Sequence, residues 1–180
     1  MSRGRGRPAG GAGLTLDDIL NAGLALLDEG GEQGLSMRAL AARLGVTPMS
    51  LYNHVPDRAG LLRVLSDRVY AQVLQGLDEQ EGSELRRILL RYHQAVSRHP
   101  HLTVAIFSDP AAFAGVTQEI TQRLRSLLAD CTEEPELWLG ILIDHAHGSG
   151  LPASITKDEA AQRVYEQALD RLLMALNGTA

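Results

Sequence analysis

The sequence predicts an all-α fold, with an N-terminal three-helix helix-turn-helix domain followed by a larger helical domain. Three observations carry that expectation. Apolar residues recur at three- and four-residue spacing through most of the chain. No segment sustains the alternation with β-branched residues that a half-buried strand requires. Helix-start and helix-stop residues punctuate the periodic stretches.

Residues 1–13 are rich in Gly, Arg and Pro, lack apolar periodicity, and read as a flexible arm. Thr15-Leu16-Asp17-Asp18 is a capping-box-like start, and Leu16, Ile19, Leu20, Gly23, Leu26 and Leu27 then line one helical face. Gly30-Gly31 is the expected stop. Ser36 caps a short helix that turns Leu40, Ala41 and Leu44 inward and ends at Gly45. Thr47-Pro48 opens a third helix reaching about His54; Pro suits the first helical position, where its missing N–H has no helical acceptor to lose. Pro56-Asp57 restarts the chain into a long helix with Leu61, Leu62, Leu65 and Val69 on one face. Further helices are predicted over 84–98, 101–107, 111–130, 135–148 and 157–176. The expected domains are 14–75, whose last helix links onward, and 76–180.

Composition narrows the function. A chain of 180 residues has room for a small module joined to a medium one, and its single cysteine, Cys131, offers neither an intramolecular disulfide nor a thiolate metal cluster. The longest apolar run, Leu137 to Ile143, stops at Asp144, far short of the roughly 20 residues that span a bilayer. No signal peptide is evident, so a cytoplasmic protein without membrane contact is expected. The net charge of −5 is unevenly spread. Residues 1–75 hold eight arginines against seven acids, whereas residues 76–180 hold nine basic residues against fifteen acids. That polarity suggests a polyanion meeting the first part.

Two short helices joined through Gly45, the second capped by Thr47-Pro48, form a helix-turn-helix, in which the second helix enters the DNA major groove. Gly45 supplies a left-handed turn at little steric cost. Ala41 lets the two helices approach closely, while Leu51 and Val55 anchor the second helix to the core. Met49, Ser50, Tyr52, Asn53 and His54 are then left facing outward.

The stretch Leu35-Ser36-Met37-Arg38-Ala39-Leu40-Ala41-Ala42-Arg43-Leu44-Gly45-Val46-Thr47-Pro48-Met49-Ser50-Leu51-Tyr52-Asn53-His54-Val55, continuing through Pro56-Asp57-Arg58-Ala59-Gly60-Leu61-Leu62, resembles the N-terminal domain of the TetR (tetracycline-repressor-like) family. The likeness covers residues 15 to about 62. That family usually has Phe where Val55 stands and Lys where Arg58 stands; both changes keep the chemistry, an apolar anchor and a cation at a helix start. The resemblance implies that Thr47 and Tyr52 contact phosphates and that His54 and Arg58 close on the same strand. It makes Pro48, Met49, Ser50 and Asn53 candidates for reading base edges, with Arg38 a further phosphate or groove contact. Tyr52 is open to a second reading as a half-buried core tyrosine, and His54 as a histidine favouring the helix dipole. Arg5 and Arg7, within Arg5-Gly6-Arg7-Pro8, are either a minor-groove arm or a solubilising tail.

For the second domain the resemblance implies a pocket for a small-molecule effector of unknown identity and a four-helix bundle across a homodimer axis. Tyr92, Phe107, Phe113 and Trp138 are candidates for lining the pocket or for plain core. Leu137, Ile141, Val164, Ala168, Leu172 and Leu176 are candidates for the dimer seam, with Gly140 and Gly148 permitting close approach. His145 and His147, two residues apart on a helix, lack the four-residue spacing of a helical zinc pair and read as dimer-interface or helix-end polar residues. An enzyme built on Asp144, His145 and His147 lacks a third ligand and a general base, and the acidic neighbours of Cys131 blunt its thiol. The expected function is therefore a regulator, not an enzyme, without cofactor or metal. It binds double-stranded palindromic operator DNA as a dimer, and by the family default it is a repressor released by a small molecule.

Overall fold

Local side-chain chemistry sets the helix starts. The Thr15 hydroxyl accepts the Asp18 N–H at 3.1 Å while the Asp18 carboxylate accepts the Thr15 N–H at 3.0 Å, a complete capping box. Ser36, Thr47 and Asp57 each accept the N–H three residues on, so three further helices begin where short polar side chains replace missing backbone acceptors.

The computed structural model describes residues 13–76, 83–156 and 159–178. Arg5 and Arg7, together with most of the arm, lie outside the described residues. The helices are α1 (Leu16–Gly34), α2 (Met37–Leu44), α3 (Pro48–Tyr52), α4 (Arg58–Tyr70), α5 (Glu84–Arg98), α6 (Pro100–Phe107), α7 (Val116–Ala129), α8 (Pro135–Thr156) and α9 (Glu159–Gly178), with single 3₁₀ turns after α4 and α6. No strand occurs among the described residues. α1 packs on α2, α4 and α6; α5 lies along α8, and α8 also meets α7 and α9.

The third helix ends at Tyr52, short of the expected His54, with Asn53 and His54 in a turn; three other boundaries differ from the periodicity, each for a physical reason. Gly31 does break the helical backbone, at φ +61°, yet α1 takes one more turn to Gly34. Residues 110–112 form a separate turn, and α7 starts only at Val116, because Gly115 at φ +60° and ψ −132° interrupts the helix. α8 runs eight residues past the expected end at 148, through Pro152. Tertiary packing carries it on: a Cβ at Gly150 would stand 2.8 Å from Val96 Cγ1, so the helix is pressed against α5 just where its own sequence signal fades.

One hydrophobic cluster extends from Ile19 on α1 to Leu176 on α9. α4 lies deepest within it, with Leu61, Leu62 and Leu65 fully buried and Val69 and Tyr70 nearly so. Each such leucine contributes roughly 1.5–3 kcal/mol of burial free energy. α4 is also tied to α7 by a polar contact, since Asp67 Oδ1 accepts the Val116 N–H at 3.0 Å and caps that helix. A Cβ on Gly115 would meet Asp67 Oδ1 at 2.5 Å, and the backbone there suits only glycine. Gly115→Ala should therefore lower stability by about 1–3 kcal/mol, measured as a reduced midpoint of urea unfolding; an unchanged midpoint would show that the α4–α7 cap is dispensable.

Candidate functional site

α3 is held from behind and presented in front. Leu51 and Val55 are buried to 0% and 1% exposure, and the Leu51 carbonyl accepts the N–H groups of both His54 and Val55. Ala41 is buried against them, and Gly45 sits at φ +66°, ψ +27°, the left-handed conformation that ends α2. With that side fixed, Pro48, Met49, Tyr52, Asn53 and His54 project into solvent, Met49 being 71% and Tyr52 45% exposed. Thr47 Oγ1 accepts the Ser50 N–H at 3.3 Å and lies 3.0 Å from the Ser50 hydroxyl, so half-buried Ser50 is turned toward the cap and away from the tip. Arg38 is exposed on α2.

The arginines of this region are mostly engaged. Arg43 grips both oxygens of Glu29 at 2.6 and 2.8 Å, holding that carboxyl below its ordinary pKa. Arg68 pairs with Asp17 at 2.7 Å, and Arg63 reaches the Ala111 carbonyl. Arg58, expected on the DNA backbone beside His54, is turned inward. Its Nε donates to the Leu35 carbonyl at 3.3 Å, and its guanidinium lies 3.5 Å from Glu32 and 3.6 Å from Asp109. Asp57 caps α4, which places Arg58 in the first turn against the end of α1 and the corner after α6. Arg38, exposed on α2, forms no ion pair among the described residues, and neither does Arg63.

The second feature is a cavity of about 330 Å³ among α4–α8. It brings together Tyr92, Phe107 and Phe113, as expected, and adds Tyr70 and His147. Trp138 is not on its wall. Glu136, Leu139, Gly140, Ile143 and His147 face the cavity at helical spacing, and Trp138 is rotated out of that series. The Tyr70 and Tyr92 rings lie 5.6 Å apart, the Tyr92 hydroxyl is 2.7 Å from His147 Nε2, and Phe107 meets the His147 ring edge-on at 4.8 Å. Burial pushes the Tyr70 phenol up to about 12 and the Tyr92 phenol further up, and it pushes His147 down against the opposing pull of Asp144. All three groups are neutral near pH 7.

His145 and His147, expected at an interface or a helix end, are both drawn into the protomer. His145 stacks near Tyr165 with ring centroids 5.1 Å apart. Tyr70 carried no local sign of its role, because only the packing of α4 beside α5 brings it to Tyr92. His147 does fall in the Leu139–Ile143–His147 series, which the search for metal spacing passed over.

Of the expected dimer residues, Leu137 (54%), Ile141 (38%) and Val164 (64%) are exposed, while Ala168 and Leu172 are half-buried. Leu176, at 1% exposure, belongs to the protomer's own core and drops out of the seam. A strict four-residue spacing drifts about 40° per step, so between 164 and 176 it rotates by roughly 120°, from solvent to core. The exposed face of α9 instead carries Val164 and Met174, the latter 72% exposed.

An outward-facing reading helix at one end and a cavity at the other define an all-helical, helix-turn-helix protein with a ligand-sized second half. Residues 19–65 match the sequence model of the family described as "Bacterial regulatory proteins, tetR family". The transcriptional repressor KstR of Rhodococcus jostii is 31% identical over 159 residues, covering 81% of this chain and 75% of KstR. The transcriptional repressor DrrR1 of Streptomyces coeruleorubidus is 29% identical over 153 residues, covering 83% of this chain and 57% of DrrR1, so the chain spans little more than half of that relative. Among solved structures, BioQ of Mycobacterium smegmatis superposes with a TM-score of 0.74 at 21% identity, over 93% of this chain and 100% of BioQ. BioQ crystallised with its double-stranded DNA operator gives 0.68 at 22% identity, over 91% and 98% of the two chains. The chain belongs to the tetR family of bacterial regulatory proteins.

Beside the cavity, His93 stacks on Tyr165 at 3.7 Å between centroids, its Nε2 3.2 Å from the Ser149 hydroxyl and its Nδ1 buried without a partner. Burial foremost, aided by nearby His145 and opposed by Gln162 and Glu166, pushes its pKa down to about 4. The unfolded chain, with an ordinary histidine near 6.5, binds the extra proton first. The stabilisation from a neutral His93 is therefore complete above about pH 6.5 and is lost as pH falls toward 4, on the order of 2–3 kcal/mol. Melting temperature should fall across that window in the natural chain and more shallowly in His93→Phe; parallel curves would refute the assignment.

Proposed function

We propose that the chain is a transcriptional repressor that binds a palindromic operator as a two-fold dimer and leaves it when a small molecule fills the cavity. The observation that carries this reading is α3. Met49 and Tyr52 stand exposed on α3 and Asn53 and His54 on the turn that follows it, while Leu51 and Val55 are buried behind them. A side-chain set fixed from behind and unpartnered in front suits a groove. Thr47, Tyr52, His54 and Arg38 serve as phosphate contacts, and Pro48, Met49 and Asn53 as the readers of base edges. Ser50 reads only if its hydroxyl leaves Thr47. Arg58 is reassigned to the junction between α4, the end of α1 and the corner after α6. KstR and DrrR1 are named repressors and BioQ was crystallised on its operator, which supports the same reading.

The dimer face consists of Leu137, Ile141 and Gly148 on α8 with Val164 on α9, all exposed. Gly148 allows two helices to approach, and the large apolar residues supply area to bury. Two copies are needed because one reading helix makes too few base contacts to select a site in a genome. No described helix is long and apolar enough to cross a membrane, and we place the protein in the cytoplasm with DNA, as a regulator and not an enzyme.

The test is an electrophoretic shift on palindromic DNA from beside its own gene. Arg38→Ala should weaken binding to every sequence alike and reduce the slope of log K against log salt by about 1 per half-site. Asn53→Ala should instead change preference at defined base pairs by about 1–3 kcal/mol. A salt-independent affinity, or an Asn53→Ala preference profile identical to the natural one, would defeat these roles.

The dimer has its own test. Val164→Glu, at a position outside the core, should sediment as a monomer at micromolar concentration, keep the natural helix content by circular dichroism, and lose operator binding. A variant that remains dimeric would move the interface elsewhere.

A further inference from the structure

The cavity's polar groups can be accounted for proton by proton. Thr103 donates its hydroxyl to the His99 carbonyl at 3.2 Å, Thr117 to the Ala114 carbonyl at 3.0 Å, and Thr121 to the Thr117 carbonyl at 3.0 Å. With its own proton so placed, Thr103 Oγ1 accepts from the Tyr70 hydroxyl at 2.7 Å. Four wall hydroxyls have thus spent their protons inside the protein and offer the cavity oxygen lone pairs. The remaining polar pair is Tyr92 with His147. When Nε2 carries the ring proton it donates to the Tyr92 oxygen, which frees the phenol proton to point into the cavity; in the other tautomer the phenol proton is held by Nε2. The wall therefore presents several acceptors and at most one donor.

It also presents no unpaired charge. Glu136, a carboxylate on the wall, is exposed and held through both oxygens by Arg125 Nε and Nη2. The tyrosines and His147 are neutral, as their burial dictates. An anion entering the cavity would lose its hydration and find no cation, and an ammonium would find its nearest carboxylate already neutralised. Phe107 and Phe113, at 55% and 47% exposure, leave apolar ring surface on this wall for a ligand to cover. A volume near 330 Å³ lies at the small end of the range for ligand cavities, roughly 300–1,000 Å³.

We propose that the cavity takes a small, neutral, ring-bearing apolar molecule carrying a hydrogen-donating hydroxyl, a phenol or an alcohol, and excludes carboxylates and ammonium ions of the same shape. This assignment rests on reading the cavity as the ligand site. The ligand hydroxyl donates to a wall oxygen and, when His147 Nε2 carries the ring proton, accepts from Tyr92, whereas an ether of the same skeleton can only accept, and leaves the acceptor lone pairs of Thr117 and Thr121 unmet.

Four probes of one skeleton test it by calorimetric titration of the full-length chain: naphthol, its methyl ether, naphthoate and naphthylmethylammonium. Naphthol should bind about tenfold tighter than the ether, the difference of one hydrogen bond with its desolvation, and the two ions should bind more weakly still. Thr121→Phe, which fills the cavity from its wall, should abolish naphthol binding; a second variant, Thr121→Val, keeps the shape and should narrow the naphthol-to-ether ratio. Absence of naphthol binding, an ether or ion that binds as tightly as naphthol, or naphthol binding untouched by Thr121→Phe would each overturn the assignment. Operator release is scored separately in the electrophoretic shift. Selective naphthol binding without release supports the ligand class and overturns the effector role, while release by naphthoate with no hydroxyl preference does the reverse.

Discussion

The burial of α4 is the constraint on which the rest of the structure depends. Its N-terminal end, capped by Asp57, follows the reading helix in the chain, and its other end delivers Tyr70 to the cavity wall. Twelve residues separate Arg58 from Tyr70, a distance along the axis of about 18 Å. Between them Leu61, Leu62 and Leu65 are fully enclosed by the surrounding helices. Tyr70 and Asp57 thus stand at opposite ends of one buried helix, and one hydrophobic cluster runs through both halves of the molecule.

Electrostatics along that core serves position more than stability. The exposed pairs Arg43–Glu29 and Arg68–Asp17 contribute little free energy each in water. Their consequence is different: they neutralise arginines that would otherwise spread positive charge over the N-terminal half. Arg38, exposed on α2, and Arg63, which reaches only the neutral Ala111 carbonyl, form no ion pair among the described residues. Arg58 sits between Glu32 and Asp109, joining α1 and the corner after α6 at one charge. Pairing leaves the net charge of each half as the residue count gives it and fixes only where the positive charge lies.

The second half of the molecule shows the complementary use of polar groups. Its hydroxyls and imidazoles are buried, neutral and turned upon one another: Tyr70 on Thr103, Tyr92 on His147, Tyr165 on the Leu89 carbonyl and beside His93. A buried polar network of this kind costs little only while every member is satisfied. His93 Nδ1 and His145 Nε2, on either side of Tyr165, are exceptions, both buried without a partner.

The sequence by itself determined what acts over a few residues. The capping box at Thr15, the caps at Ser36, Thr47 and Asp57, the left-handed turn at Gly45 and the anchors Leu51 and Val55 were all legible, since each depends on backbone groups within one helical turn. The outward set on α3 followed from those anchors by geometry alone, and so did the helical class of the fold. Tertiary structure decided everything that needed a partner from a distant part of the chain. Arg58 faces inward because Asp109, 51 positions away, waits there; α8 continues past Gly148 because α5 supports it at Gly150; Leu176 is core because a four-residue repeat wraps around its helix. Tyr70 and His147 became cavity residues only when α4, α5 and α8 were brought together, for periodicity tells which face of a helix is apolar but not which neighbour that face will meet.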